Sequence, residues 1–229
     1  MEKMEWLPMY MKNTSKLKIN SIFYSIQGEG CDNGIPTIFI RLAGCNLRCS
    51  YCDTKYAYYE GNEMEIDEIF KEIKKWDCKR VCITGGEPLL QNNIYKLIDF
   101  LLHRKYEISV ETNGSIDISK LSLRDIVIKM DLKCPSSGMH KKMRRENINL
   151  LRERDELKFI IDGKEDYEYA KKIINEYKPL CNIIFQPVWG DMEKARKIAE
   201  WILKDNINAR FSIQIHKILW RDEREADTD

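Results

Sequence analysis

The chain has 229 residues, 43% of them hydrophobic and 10% aromatic, enough to bury the core of one large domain or two small ones. Its 38 Lys and Arg against 37 Asp and Glu leave a net charge of +1, which excludes bulk electrostatic capture of nucleic acid or of an anionic membrane. No apolar run reaches the roughly 18 residues of a membrane-spanning helix, and the N-terminal MEKMEWLPMYMKNTSK lacks the continuous apolar stretch of a secretory signal. The eight cysteines are therefore expected to be metal ligands and buried thiols of a cytoplasmic protein, not a disulfide framework.

Residues 1–15 mix Met, Lys, Asn and Trp without period and read as an extension. Lys16 to Ser25 alternates well enough for a strand or hairpin, and the glycine-flexible Gln27-Gly28-Glu29-Gly30 follows, an ordinary turn or a close approach to a ligand. Thr37 to Leu42 is a near-continuous apolar run, the pattern of a buried parallel strand, interrupted by Arg41. A charge there needs a partner: a core carboxylate or a bound anion held bidentately. Glu63 to Trp76 and Asn92 to Arg104 carry helical apolar spacing, with the strand Arg80 to Thr84 between them. Strands are expected at Glu107 to Glu111, Asp125 to Leu132, Glu156 to Ile161, Asn182 to Gln186 and Arg210 to Ile215, with helices at Asp166 to Tyr177 and Asp191 to Lys204. Such alternation predicts a parallel sheet wound by right-handed crossovers. The chain is shorter than the roughly 250 residues of a closed eight-fold barrel. The expected fold is thus an α/β, partial (open) TIM-like barrel of about six parallel strands with helices outside. One domain over 16–220 is expected, with a charged tail over 221–229.

Polar residues gather where strands should end: Thr84-Gly85-Gly86-Glu87, Glu111-Thr112-Asn113-Gly114, Asp131 to Ser137, and Gln186-Pro187. Ligands of open α/β sheets and barrels bind at such ends. Ahead of them, directly after the Thr37 to Leu42 strand, lies Cys45-x3-Cys49-x2-Cys52. A zinc site wants a fourth ligand, and no second Cys-x-x-Cys is present. Three thiolates from one loop suit an iron–sulfur cube with one iron left open; unpaired thiols are the plainer alternative.

The cysteine loop and Gly85-Gly86-Glu87-Pro88 resemble the two signatures of the radical S-adenosylmethionine (SAM) superfamily. SIQGEG (Ser25 to Gly30), FIRLAGC (Phe39 to Cys45), CDT (Cys52 to Thr54), TGGEP (Thr84 to Pro88), ETNG (Glu111 to Gly114) and IQIHK (Ile213 to Lys217) narrow it to the 7-carboxy-7-deazaguanine synthase family. The resemblance implies a radical SAM lyase acting on 6-carboxy-5,6,7,8-tetrahydropterin, with loss of ammonia, toward 7-deazaguanine tRNA bases such as queuosine and archaeosine. A radical SAM activase of a partner protein is the nearest alternative.

The same resemblance implies a 4Fe–4S cluster on Cys45, Cys49 and Cys52, SAM, and Mg2+ on Thr54, whose plainer role is a turn hydrogen bond. It places Ile26, Gln27, Gly28, Glu29, Arg41, Thr84 and His216 at the substrate. It places Tyr51, Cys52, Asp53, Gly86, Glu87, Asn113, Lys133, Pro135, Ser136 and Gln186 at SAM. Simple packing is the alternative for Tyr51 and a structural role for His216. No side chain is expected as acid, base or nucleophile. Implied partners are an electron donor such as flavodoxin or ferredoxin and a second copy in a homodimer, with no nucleic acid bound directly and no membrane.

Overall fold

The computed structural model describes residues 15–220. The strands are β1 (Lys16–Ile26), β2 (Pro36–Leu42), β3 (Asn62–Glu65), β4 (Arg80–Gly85), β5 (Glu107–Thr112), β6 (Val127–Leu132), β7 (Glu156–Ile161), β8 (Asn182–Pro187) and β9 (Arg210–Phe211). They form one nine-stranded sheet in the order β3-β1-β2-β4-β5-β6-β7-β8-β9. From β2 to β9 every neighbour is parallel, while β1 and β3 add an antiparallel edge. The pairings leave the sheet open between β3 and β9 among the described residues, so the expected partial barrel is what the chain forms.

Helices α1 (Ile66–Ile73), α2 (Ile94–His103), α3 (Ser119–Ser122), α4 (Lys164–Tyr177) and α5 (Met192–Asp205) follow strands, and α6 (Ile215–Leu219) ends the described chain. The long ones bury one stripe each, as in Ile94, Leu97, Ile98 and Leu101 of α2. Those stripes cover the outer face of the sheet, where Val110, Ile128, Met130, Leu157, Phe159 and Ile161 are fully buried. Phe159 and Tyr167 of α4 both meet the Phe185 ring edge-on at 5.7 Å. None of these helices is long and apolar enough to cross a membrane.

Successive side chains of a strand point to opposite faces, so the residues between these apolar ones face inward. They are a different set: Arg41 on β2, Thr84 on β4, Glu111 on β5, Lys129 and Asp131 on β6, Glu156 and Lys158 on β7, and Gln186 on β8. Pairing sets Lys129 beside Glu156 and Asp131 beside Lys158, opposite charges on neighbouring strands.

Two expectations are corrected. The helix expected from Glu63 begins at Ile66, because Asn62–Glu65 pairs with β1, Met64 opposite Leu17. There the Glu68 carboxylate accepts the Glu65 N–H at 2.7 Å, which fixes the helix start. The last strand, expected to reach Ile215, stops at Phe211. The chain turns instead toward the loop after β1, where Ile215 N–H donates to Gly28 O at 3.1 Å. Most of the proposed N-terminal extension and the charged tail fall outside the described residues.

Candidate active site

A cavity of about 650 Å3 opens at the carboxyl ends of the parallel strands. Three segments wall it where the sheet is open: the loop after β1, the cysteine loop after β2, and the segment around His216.

Cys45, Cys49 and Cys52 are free, partly exposed thiols, and all three face this cavity. Burial pushes the Cys45 and Cys49 thiols up from their ordinary value. Thiolates so placed need a cationic partner. Among the described residues no three His, Cys, Asp or Glu side chains gather as the ligands of one ion would. The donor set is a thiol triad facing open space, and it fits a cluster large enough to be held at separate corners.

The GG of TGGEP lets the cysteine loop reach this position. A Cβ on Gly85 would stand 2.2 Å from Leu42 O, and one on Gly86 2.1 Å from Gly44 O. Gly86 N–H donates to Leu42 O at 3.1 Å and Glu87 N–H to Gly44 O at 2.7 Å. The two glycines thus admit the backbone of the loop itself. Glu87 faces away from the cavity. Its buried carboxylate accepts from Asn113 N–H at 2.6 Å, Thr112 Oγ1 at 2.9 Å and Leu89 N–H at 3.0 Å. Burial nevertheless pushes its pKa up to about 7. It ties the end of β4 to the end of β5.

Of the other residues expected at SAM, Tyr51, Cys52, Asp53, Gly86, Asn113, Lys133 and Gln186 line the cavity, whereas Pro135 and Ser136 do not. Ser136 donates through N–H to Asp166 at 3.0 Å and accepts Ser50 Oγ on its carbonyl at 2.7 Å. Its stretch braces the cysteine loop from behind. The Tyr51 hydroxyl and the Gln186 Oε1 are buried at the cavity wall without a partner among the described residues, polar atoms a bound molecule would satisfy. Thr54 Oγ1 also faces the cavity, 3.7 Å from Cys52 Sγ.

All seven residues expected at the substrate line the same cavity. A Cβ on Gly28 would fall 1.8 Å from His216 Nδ1, so glycine is what seats the imidazole there. Burial lowers the His216 pKa from its ordinary value. Gln27 Nε2 at 3.3 Å and Thr84 Oγ1 at 2.8 Å both donate to Glu111. The Arg41 guanidinium lies 5.7 Å from the Phe23 ring and 5.9 Å from Tyr56. Burial opposes ionisation of Glu29, but Lys158 overrides it and holds the pKa down at about 2. Asp53 is also held below its ordinary value, because the Lys217 ammonium outweighs burial, and Gln214 Nε2 donates to it at 3.2 Å.

Glu111, Asp131, Lys158 and Gln214 line the cavity too; sequence reasoning put Glu111 and Asp131 in strand-end clusters and Gln214 in the IQIHK motif without giving them individual roles, and it passed over Lys158. Their signal was present. Ile-Lys-Met-Asp-Leu on β6 and Glu-Leu-Lys-Phe-Ile on β7 place charge at every second position of strands whose other positions are apolar, the mark of a strand with one charged face.

The radical SAM superfamily model matches residues 39–188, the stretch that holds the thiol triad and five of the parallel strands, and the chain belongs to that superfamily. Three curated relatives are each a 7-carboxy-7-deazaguanine synthase. That of Methanospirillum hungatei is 42% identical over 90% of this chain and 86% of its own length. That of Chlorobaculum tepidum is 40% identical over 92% and 97%, and that of Thermoplasma acidophilum 38% over 89% and 97%. Within the superfamily, the chain belongs to the 7-carboxy-7-deazaguanine synthase family. The crystal structure of QueE from Escherichia coli shares the fold, with a TM-score of 0.73 at 22% identity over 90% of this chain and 97% of that one.

Proposed function

We propose that the chain is a radical SAM lyase that converts 6-carboxy-5,6,7,8-tetrahydropterin to 7-carboxy-7-deazaguanine with loss of ammonia. The observation that carries this reading is that one cavity is lined by two chemically distinct sets of residues. The thiol triad with Tyr51, Asn113, Lys133 and Gln186 suits a cluster and its sulfonium ligand; Gln27, Glu29, Arg41, Thr84 and His216 suit a polar, carboxylated ring. When bound, the cluster and SAM supply a carbon-centred radical that removes a hydrogen atom from the substrate.

The protein's part is to hold and to shield. Cys45, Cys49 and Cys52 hold the cluster. Tyr51, Gly86, Asn113, Lys133 and Gln186 meet SAM, with Glu87, Pro135 and Ser136 acting from behind as braces. Arg41 offers a planar fork to the substrate carboxylate. Gln27, Glu29, Thr84 and His216 supply the donors and acceptors that orient the ring. Thr54 would offer a hydroxyl oxygen to a Mg2+ near the substrate carboxylate, in keeping with that ion's preference for oxygen ligands. A single domain over 16–220, an intracellular electron donor of the flavodoxin or ferredoxin kind, a homodimer and a cytoplasmic setting complete the reading.

Anaerobic incubation of the reconstituted protein with SAM, reductant, Mg2+ and the carboxytetrahydropterin tests it. The expected result is 7-carboxy-7-deazaguanine formed with SAM consumption. SAM cleavage that leaves the pterin unchanged overturns the lyase reading in favour of an activase. Omitting Mg2+, or the substitution Thr54→Ala, is expected to raise the KM for the pterin by about tenfold; an unchanged KM removes the metal from the scheme.

A further inference from the structure

Glu29 and Lys133 both line the cavity and have roles in this reading, while the buried cation linked to both through carboxylates has none. Lys158 lies on β7, flanked by β6 and β8. Its ammonium stands 2.5 Å from Glu29 Oε2 and 3.1 Å from Asp131 Oδ1. The other oxygen of Asp131 takes the Lys133 ammonium at 2.7 Å. Four alternating charges thus cross the cavity floor from the loop after β1 to the end of β6. The second oxygen of Glu29 receives Gln214 Nε2 at 2.5 Å.

Glu29 sits between Gly28 and Gly30, the latter at φ +73°. A loop with glycines on both sides does not by itself fix the direction of the side chain between them. Lys158 is anchored in a central strand and supplies the rigid end of the contact. Packing an apolar side chain of similar length on that inner face would cost less than burying an ammonium with two carboxylates. Its presence there points to a specificity role.

We propose that Lys158 is a positioning residue for substrate recognition: its ammonium aims the Glu29 carboxylate at the ring of the pterin and locks the loop after β1 to the strands that meet SAM. A carboxylate held in this way presents acceptors to adjacent N–H donors, which the amino-pyrimidinone edge of a pterin carries. The inference rests on the substrate reading above.

Anaerobic calorimetric titration of the SAM-loaded holoenzyme with the carboxytetrahydropterin, joined to steady-state kinetics, tests it. Lys158→Met is expected to weaken pterin binding about 30-fold and raise KM in parallel, with kcat and SAM affinity within about threefold of wild type. Lys158→Arg, which keeps the cation, recovers binding to within about fivefold. Glu29→Gln weakens binding by a similar factor, and adding Lys158→Met to it costs no more than about a further threefold, because both act through one carboxylate. Pterin binding by Lys158→Met within threefold of wild type overturns the inference, as do losses that multiply in the double variant. Should Lys158→Met not fold, the Arg variant and the double variant, which removes both charges, decide the matter by the same criteria. A wild-type protein that cleaves SAM and does not bind the pterin overturns the substrate reading and this inference with it. Binding by wild type with unchanged variants overturns the inference alone.

Discussion

The two faces of the one sheet are built from the same strands and do opposite work. Along β7, Leu157, Phe159 and Ile161 point outward into a fully buried apolar layer, while Glu156 and Lys158 point inward. The outer face stabilises the protein by removing hydrocarbon from water. The inner face spends part of that stability on buried charge, which earns its keep only if something binds there. In this molecule the residues that hold the fold and the residues that serve the site are separated by one position along the strand.

That separation can be broken in graded ways. The largest effect is expected from the cysteine loop: replacing Cys45, Cys49 or Cys52 with Ala lowers product formation by at least about a thousandfold and strips iron and sulfide from the reconstituted protein. Iron retained at wild-type content by all three variants would remove the triad from the site. Next comes the outer face. Phe159→Ala is expected to destabilise by about 3–5 kcal/mol, lowering the melting temperature by about 10 °C, with the pterin KM of the folded fraction unchanged. A shifted KM with unchanged melting would mean that the two faces are not independent.

On the inner face, Arg41→Met is expected to reverse that pattern. The pterin KM rises about 100-fold while stability moves by less than about 1 kcal/mol, read from denaturant midpoints beside initial rates. The smallest effect concerns Glu29. Its pKa of about 2 in the folded chain lies below the ordinary 4.5, so its ionised form stabilises the fold. That contribution is complete above pH 4.5 and is lost as pH falls toward 2. Between pH 5.5 and 3.5 the loss amounts to about 1.4 kcal/mol, and in Glu29→Gln that slope disappears. Equal slopes in both proteins, measured by urea unfolding of the cluster-free chain, would mean that Lys158 does not hold Glu29 down.

The faces also differ in how readily sequence discloses them. Outward residues follow periods set by helix and strand geometry, so β7 could be placed by pattern at its true bounds, and α2 within two residues. Two segments escaped. Glu63 to Glu65 was expected as the first turn of a helix whose apolar period begins at Ile66, and it became a strand because β1 offered it a ladder. The segment after Phe211 left the sheet because Gly28, Glu29 and Asp53 offered its backbone and polar side chains better partners. In the site, motif residues such as Gln27, Arg41 and His216 were legible, Glu111 and Asp131 were placed at strand ends without individual roles, and Lys158 was passed over. Glu87 and Ser136 stood in or beside those motifs, yet their partners lie behind the wall.

By itself, the sequence determined the alternation of strands and helices and the thiol triad, because these depend on spacing within a few residues. Only the tertiary structure decided which charges meet. Glu29 and Lys158 are 129 positions apart, and Asp53 and Lys217 164. An electrostatic partnership depends on distance in space, which the order of residues along a chain does not encode until the sheet curves and its open side is filled.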